Sequence, residues 1–138
     1  LEIKTHNSSE KNMRAAQVCY EAVKARNMQN QVEYIAFNYD ICKKLVSLDP
    51  KAMVQYLNGD KSPSVLYKDG IMGVDYTSGS LSVKTINEAK SLGMTVNVWT
   101  VNTKGGMLDF INKGVNLITT DESVMALDLV SRKYVSDK

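Results

Sequence analysis

The sequence predicts an α/β fold made of parallel βα units. Short β-type runs alternate with amphipathic helical stretches from end to end, and no long linker or low-complexity segment interrupts them. The chain has 138 residues, 43% hydrophobic and 23% charged, which suits one soluble domain with a sizeable core. It is too short for a complete eight-fold α/β barrel. We therefore expect residues 1–138 to be a single, partial domain.

Residues 1–4 look extended. Residues 9–27 carry Met13, Ala16, Val18, Tyr20 and Val23 at helical spacing, with Ser9 placed to cap the helix. Residues 32–37 follow as a strand, and residues 40–48 as a helix ending before Pro50. Residues 52–57 are strand-like, Ser62-Pro63 can open a short helix, and residues 71–76 form a β run of unassigned rank. A helix over 81–92 stops at Gly93. The strand over 95–101 is the clearest, being rich in β-branched residues. A helix over 104–113 stops at Gly114, a last strand covers 115–119, and a closing helix covers 122–134.

Charge and cysteine content exclude more than they identify. The net charge is +2, with basic residues scattered rather than clustered, which argues against a nucleic-acid partner. No apolar run is long enough to cross a bilayer. Cys19 and Cys42 belong to no CxxC motif and read as small buried hydrophobes. Leu1 opens the chain directly in an extended run with no signal peptide, so the sequence looks excised from something longer.

In parallel α/β folds functional groups gather at the C-terminal ends of strands. That directs attention to Glu2, Lys4, Asn38, Tyr76, Trp99, Asn102, Thr119 and Asp121. Glu2 and Lys4, two apart on a strand, share one face, while Leu1 and Ile3 share the other. A carboxylate beside an ammonium suits a site for a divalent metal and a phosphate; it is also what a casual ion pair on an edge strand looks like. In Val96-Asn97-Val98-Trp99 the valines share one face, and Asn97 and Trp99 share the other. The only tryptophan could form a pocket wall or simply fill the core. Asp121, after Leu117-Ile118-Thr119-Thr120, reads most simply as the N-cap of the closing helix.

Taken in order, the segments LEIK, VNVWTVN and GVNLITTDE resemble the glycerophosphodiester phosphodiesterase family, and the resemblance covers essentially the whole chain. It implies the C-terminal half of a TIM (β/α)8-type barrel. It also implies that Glu2 is a metal ligand, that Lys4 contacts phosphate, and that Trp99 lines the glycerol end of the pocket. Phe37 matches the phenylalanine of the family's Ser-Phe pair, whereas Ala36 stands where the serine would be.

The family's His-Arg-Gly, Glu-x-Asp and His-Asp motifs are missing, and with them both catalytic histidines and most metal ligands. We therefore assign no catalytic residue to this chain. The sole histidine, His6, matches no family position and reads as exposed. Asp40, Asp75 and Asp121 could approach the barrel mouth but fit none of the missing motifs. The expected parent is a phosphoric diester hydrolase of lipid metabolism, using a divalent metal (Mg or Ca) on a small glycerophosphodiester. This fragment should bind the metal weakly or not at all and be inactive alone. A non-catalytic phosphate- or polyol-binding module is the alternative. Open barrel edges call for a partner, either the missing N-terminal half or a second copy of the chain. The compartment stays open, with the extracytoplasmic side favoured over the cytoplasm.

Overall fold

The computed structural model describes residues 1–136. Five parallel strands lie in the order β1 (Glu33–Ala36), β2 (Met53–Tyr56), β3 (Gly73–Thr77), β4 (Thr95–Trp99) and β5 (Leu117–Ile118). Helix α1 (Ser9–Lys24) precedes β1. Helices α2 (Tyr39–Leu48), α3 (Pro63–Lys68), α4 (Val83–Ser91) and α5 (Lys104–Lys113) connect successive strands, and α6 (Ser123–Ser136) follows β5. The run over 71–76, unranked by sequence, is β3, paired between β2 and β4. Residues 1–4 join the sheet beside β1: Ile3 N–H donates to Ile35 O at 2.9 Å, and Ile35 N–H to Leu1 O at 3.0 Å.

Each helix follows from its caps and its apolar stripe. In α1 the buried Ala16, Tyr20 and Val23 recur at i, i+4 and i+7. The cap is Ser8, whose hydroxyl accepts from Lys11 N–H, not the expected Ser9, which is already helical. Val18 falls off the stripe and stays 52% exposed. Ser82 and Thr103 cap α4 and α5 in the same way. Gly114 ends α5 at φ 74°, a left-handed conformation that favours glycine. The closing helix begins at Ser123, so Asp121 lies outside its cap position. Cys42 is fully buried, as expected, but Cys19 is only half-buried, and both are free thiols.

Side-chain alternation divides the sheet into two faces. Tyr34, Ala36, Val54, Tyr56, Val74, Tyr76, Val96 and Val98 belong to the apolar core under the helices. Ile35, Gln55, Asp75 and Asn97 point the other way. On that face Phe37, just past β1, meets Trp99 of β4 with ring centroids 5.6 Å apart. In a flat sheet β1 and β4, three strand spacings apart, would be separated by roughly 14 Å. The sheet is therefore curled as in a barrel wall, with these residues inside. Five strands and the paired segment 1–4 make six of the eight that such a barrel needs. Beyond β5 a groove of about 720 Å³ opens between strand edge and helix, lined by Leu117, Ala126, Leu127 and Val130 among others.

Candidate active-site wall

The residues singled out at the chain's start lie at the inner rim. Glu2 forms a parallel bridge with Ile35, and the same register two residues on sets Lys4 level with Phe37. The Lys4 ammonium donates to Glu2 Oε1 at 2.6 Å, with side-chain exposures of 76% and 29%. A pair this exposed adds little stability, so it does not explain itself structurally. Phe37, 39% exposed, meets Trp99 nearly at a right angle, 88° between planes, which makes two walls of an aromatic corner. Trp99 Nε1–H donates to the backbone carbonyl of Asp75 at 2.8 Å. The indole is thereby fixed with its donor used up, and it offers a ligand its apolar surface. Glu2, Lys4, Phe37 and Trp99 thus share the interior face, with Lys4, Phe37 and Trp99 at the C-terminal ends of their strands.

The other polar residues at strand ends have structural duties. Asn38 caps α2 by accepting from Ile41 N–H at 3.0 Å. Tyr76 is buried under the helices and donates to Lys61 O at 2.7 Å. Asn102 donates to the Asp121 carboxylate at 2.7 Å and accepts from Asp121 N–H at 2.9 Å, latching the β4 loop to the β5 loop. Asp121 acts there, and not as the helix cap that its place in the sequence suggests. Thr119 is exposed, and its hydroxyl faces the Asn97 amide at 3.5 Å. His6 is exposed, and its backbone N–H donates to the buried Asn12. Asp40 lies on α2 in an ion pair with Lys43.

Asp75 is different. It sits on the interior face, paired in register with Asn97, and is 2% exposed. Burial pushes its carboxyl up to about 7, and the charges of Glu2 and Glu33 push the same way against a hydrogen bond from Asn97. Beside it, Gln55 Nε2 donates to Glu33 at 2.6 Å. The Gln55 side chain crosses directly over Gly73, where an added Cβ would come within 2.4 Å of its Cγ. Oδ1 of Asp75, Oε1 of Gln55 and Oδ1 of Asn97 are buried without a hydrogen-bond partner. Barrel interiors are usually filled by branched apolar side chains. Here the wall is polar and supplies acceptors. The sequence signal was an acid between Val74 and Tyr76 in a strand, a position that β alternation assigns to the face opposite the core.

Among the described residues no three His, Cys, Asp or Glu side chains gather closely enough to hold a metal ion. The donors present are nevertheless oxygens, with the carboxylates of Glu2 and Asp75 on one wall, and that is the chemistry of a hard cation. Two carboxylates on one wall suit such a cation in kind but do not make up a site for it. No helix among the described residues is long and apolar enough to cross a membrane.

No family model and no curated protein matches the chain. Solved structures do. A glycerophosphodiester phosphodiesterase from Parabacteroides distasonis is 39% identical with a TM-score of 0.90, over 96% of this chain and 57% of that one. A phosphodiesterase from Oleispira antarctica, in complex with the product sn-glycerol-3-phosphate, shares the fold at 15% identity and TM-score 0.75, over 93% and 53%. A glycerophosphodiester phosphodiesterase from Thermotoga maritima does so at 16% and 0.68, over 93% and 55%. The chain spans little more than half the length of these proteins. It resembles the glycerophosphodiester phosphodiesterases in sequence motifs and in structure, and it matches one half of their TIM barrel, as a fragment of that family does.

Proposed function

We propose that this chain is the substrate-lining part of a metal-assisted phosphodiesterase that cleaves glycerophosphodiesters to glycerol phosphate and an alcohol. One observation supports it above the others: the parallel register that sets Lys4 level with Phe37, and the ring contact that joins Phe37 to Trp99. An ammonium, a carboxylate and an aromatic corner then face one space, which is the chemistry of a phosphate, a cation and the apolar side of a polyol. Lys4 neutralises phosphate oxygens. The Phe37–Trp99 corner orients the glycerol and sheds water from it. Glu2 is the residue here that would hold a divalent cation, Mg or Ca, which when bound lowers the cost of charge on a phosphoryl oxygen.

General acid–base catalysis of the cleavage needs an acid and a base, and among the described residues this chain places at the wall only one side chain raised toward neutral pH, the buried Asp75. Its one histidine is exposed in the loop before α1. The remaining barrel strands would bring the acid and base and cover the two open edges. We assign that part to the missing N-terminal half, with a second copy of this chain as the competing occupant. The same exposed histidine favours a second reading, a phosphate- or polyol-binding module without turnover.

The test is hydrolysis of glycerophosphocholine, in Mg and in Ca, by residues 1–138 alone and by the full-length parent. Release of glycerol phosphate by the parent only is the expected result. Turnover by neither, with sn-glycerol-3-phosphate still bound by the parent, would replace the enzyme reading with the binding one.

A further inference from the structure

We propose that Asn12, on the first turn of α1, is a positioning residue for the phosphate site, its buried amide tying down the chain just beyond Lys4. This rests on the reading above, in which Lys4 neutralises phosphate oxygens, and adds to it a residue outside the motifs that support it. Backbone pairing of residues 1–4 with β1 ends early. Ile3 N–H donates to Ile35 O at 2.9 Å, and among the described residues that ladder goes no further. Residues 4–10 are then all exposed, so packing does not hold them. The next tie is a side chain: Asn12 Oδ1 accepts from His6 N–H at 2.7 Å. Lys4 is one residue past the first tie and two before the second, so the pair of ties fixes the path of its backbone. Without the second, the chain is loose from Ile3 to Ser8, where the cap of α1 begins.

Asn12 stands where an apolar side chain would be at home. With Ala16, Tyr20 and Val23 it forms the buried stripe of α1, and it is 6% exposed. An amide in such a place costs free energy unless it is hydrogen-bonded. What it supplies, and an apolar side chain cannot, is the acceptor for His6 N–H. The anchor is itself firm, because Asn12 N–H donates to Ser8 O at 3.1 Å and the Ser8 hydroxyl caps the same turn. Lys4 has little else to place it. Its side chain is 76% exposed and paired with a partly exposed Glu2, so the backbone decides where the ammonium stands over the mouth.

The experiment uses the full-length parent with Asn12→Leu, Asn12→Asp, Lys4→Ala and the Lys4→Ala/Asn12→Leu double variant. Affinity for sn-glycerol-3-phosphate is measured by titration calorimetry, and KM and kcat are measured with glycerophosphocholine. Asn12→Leu should weaken binding and raise KM about threefold with kcat little changed. Asn12→Asp, which keeps the acceptor oxygen, should restore both. The double variant should bind no more weakly than Lys4→Ala alone, since the two residues act through one contact. Unchanged binding in Asn12→Leu overturns the proposal. So do additive losses, or an Asp variant as weak as the Leu variant, because either marks a residue that only supports the fold. Asn12→Ala takes the same place in the cycle if the Leu variant does not fold. If Lys4→Ala leaves binding unchanged, the phosphate reading of Lys4 fails and takes this proposal with it.

Discussion

Asp75 and Gly73, two residues apart on one strand, show how a single side chain shapes this interior. The Asp75 carboxyl is raised from 3.8 to about 7, chiefly by burial, so the folded state holds its proton more tightly than the unfolded chain does. The resulting stability is fully present below pH 3.8 and is lost as pH rises through about 7. The loss is worth roughly 4 kcal/mol at most. Asp75→Asn removes this pH dependence, and its melting temperature relative to wild type should climb between pH 5 and pH 8 by about 5 °C or more. Gly73 admits no side chain because Gln55 lies across it. Gly73→Ala should cost about 1–3 kcal/mol in a denaturant titration, through displacement of Gln55 and its bond to Glu33. An unchanged midpoint would show that Gln55 moves aside freely.

The elements were legible to the extent that they are local. The helix over 104–113 is legible to the residue because Gly114 stops it, and the structure adds Thr103 as its cap. Gly114→Ala should cost about 1 kcal/mol, since alanine resists the φ of 74° and its Cβ would meet the Lys90 ammonium, measured as a shift in chemical denaturation. The last strand was harder. Residues 115–119 have the composition of a full strand, yet β5 is Leu117–Ile118 only, paired with β4 on one side and with no neighbouring strand on the other among the described residues. The N-cap of α1 shifted by one residue for a similar reason, since Ser8 and Ser9 offer the same hydroxyl and only backbone geometry chooses between them.

At the level of the whole chain the governing fact is an open barrel. One edge is residues 1–4 and the other is β5, beside which Leu117 is 43% and Leu127 69% exposed. Unpaired edges and an uncovered apolar groove favour association. Residues 1–138 alone should therefore run as dimers or larger species in light scattering, and Leu127→Lys should shift them toward monomer. A monodisperse monomer of the unmodified chain would argue that these edges are tolerated as they stand. If the proposed function holds, Lys4→Ala in the full-length parent should raise KM for glycerophosphocholine about tenfold while cation affinity stays the same or rises, because Glu2 loses its ion-pair partner, which separates phosphate contact from metal binding.

The alternation of β-type and helical runs, the caps, and the spacing that sets Glu2 with Lys4 and Asn97 with Trp99 are properties of neighbouring residues, so they could be read directly from the chain. The resemblance carried by LEIK and VNVWTVN then indicated the barrel and its mouth. Three things had to wait for the fold: the curl of the sheet that brings Phe37 onto Trp99, the crossing of Gln55 over Gly73, and the acidic surroundings of Asp75. Each depends on strands far apart in sequence lying side by side in space. A one-residue change of register would have turned Asp75 toward the helices and buried its charge in the apolar core.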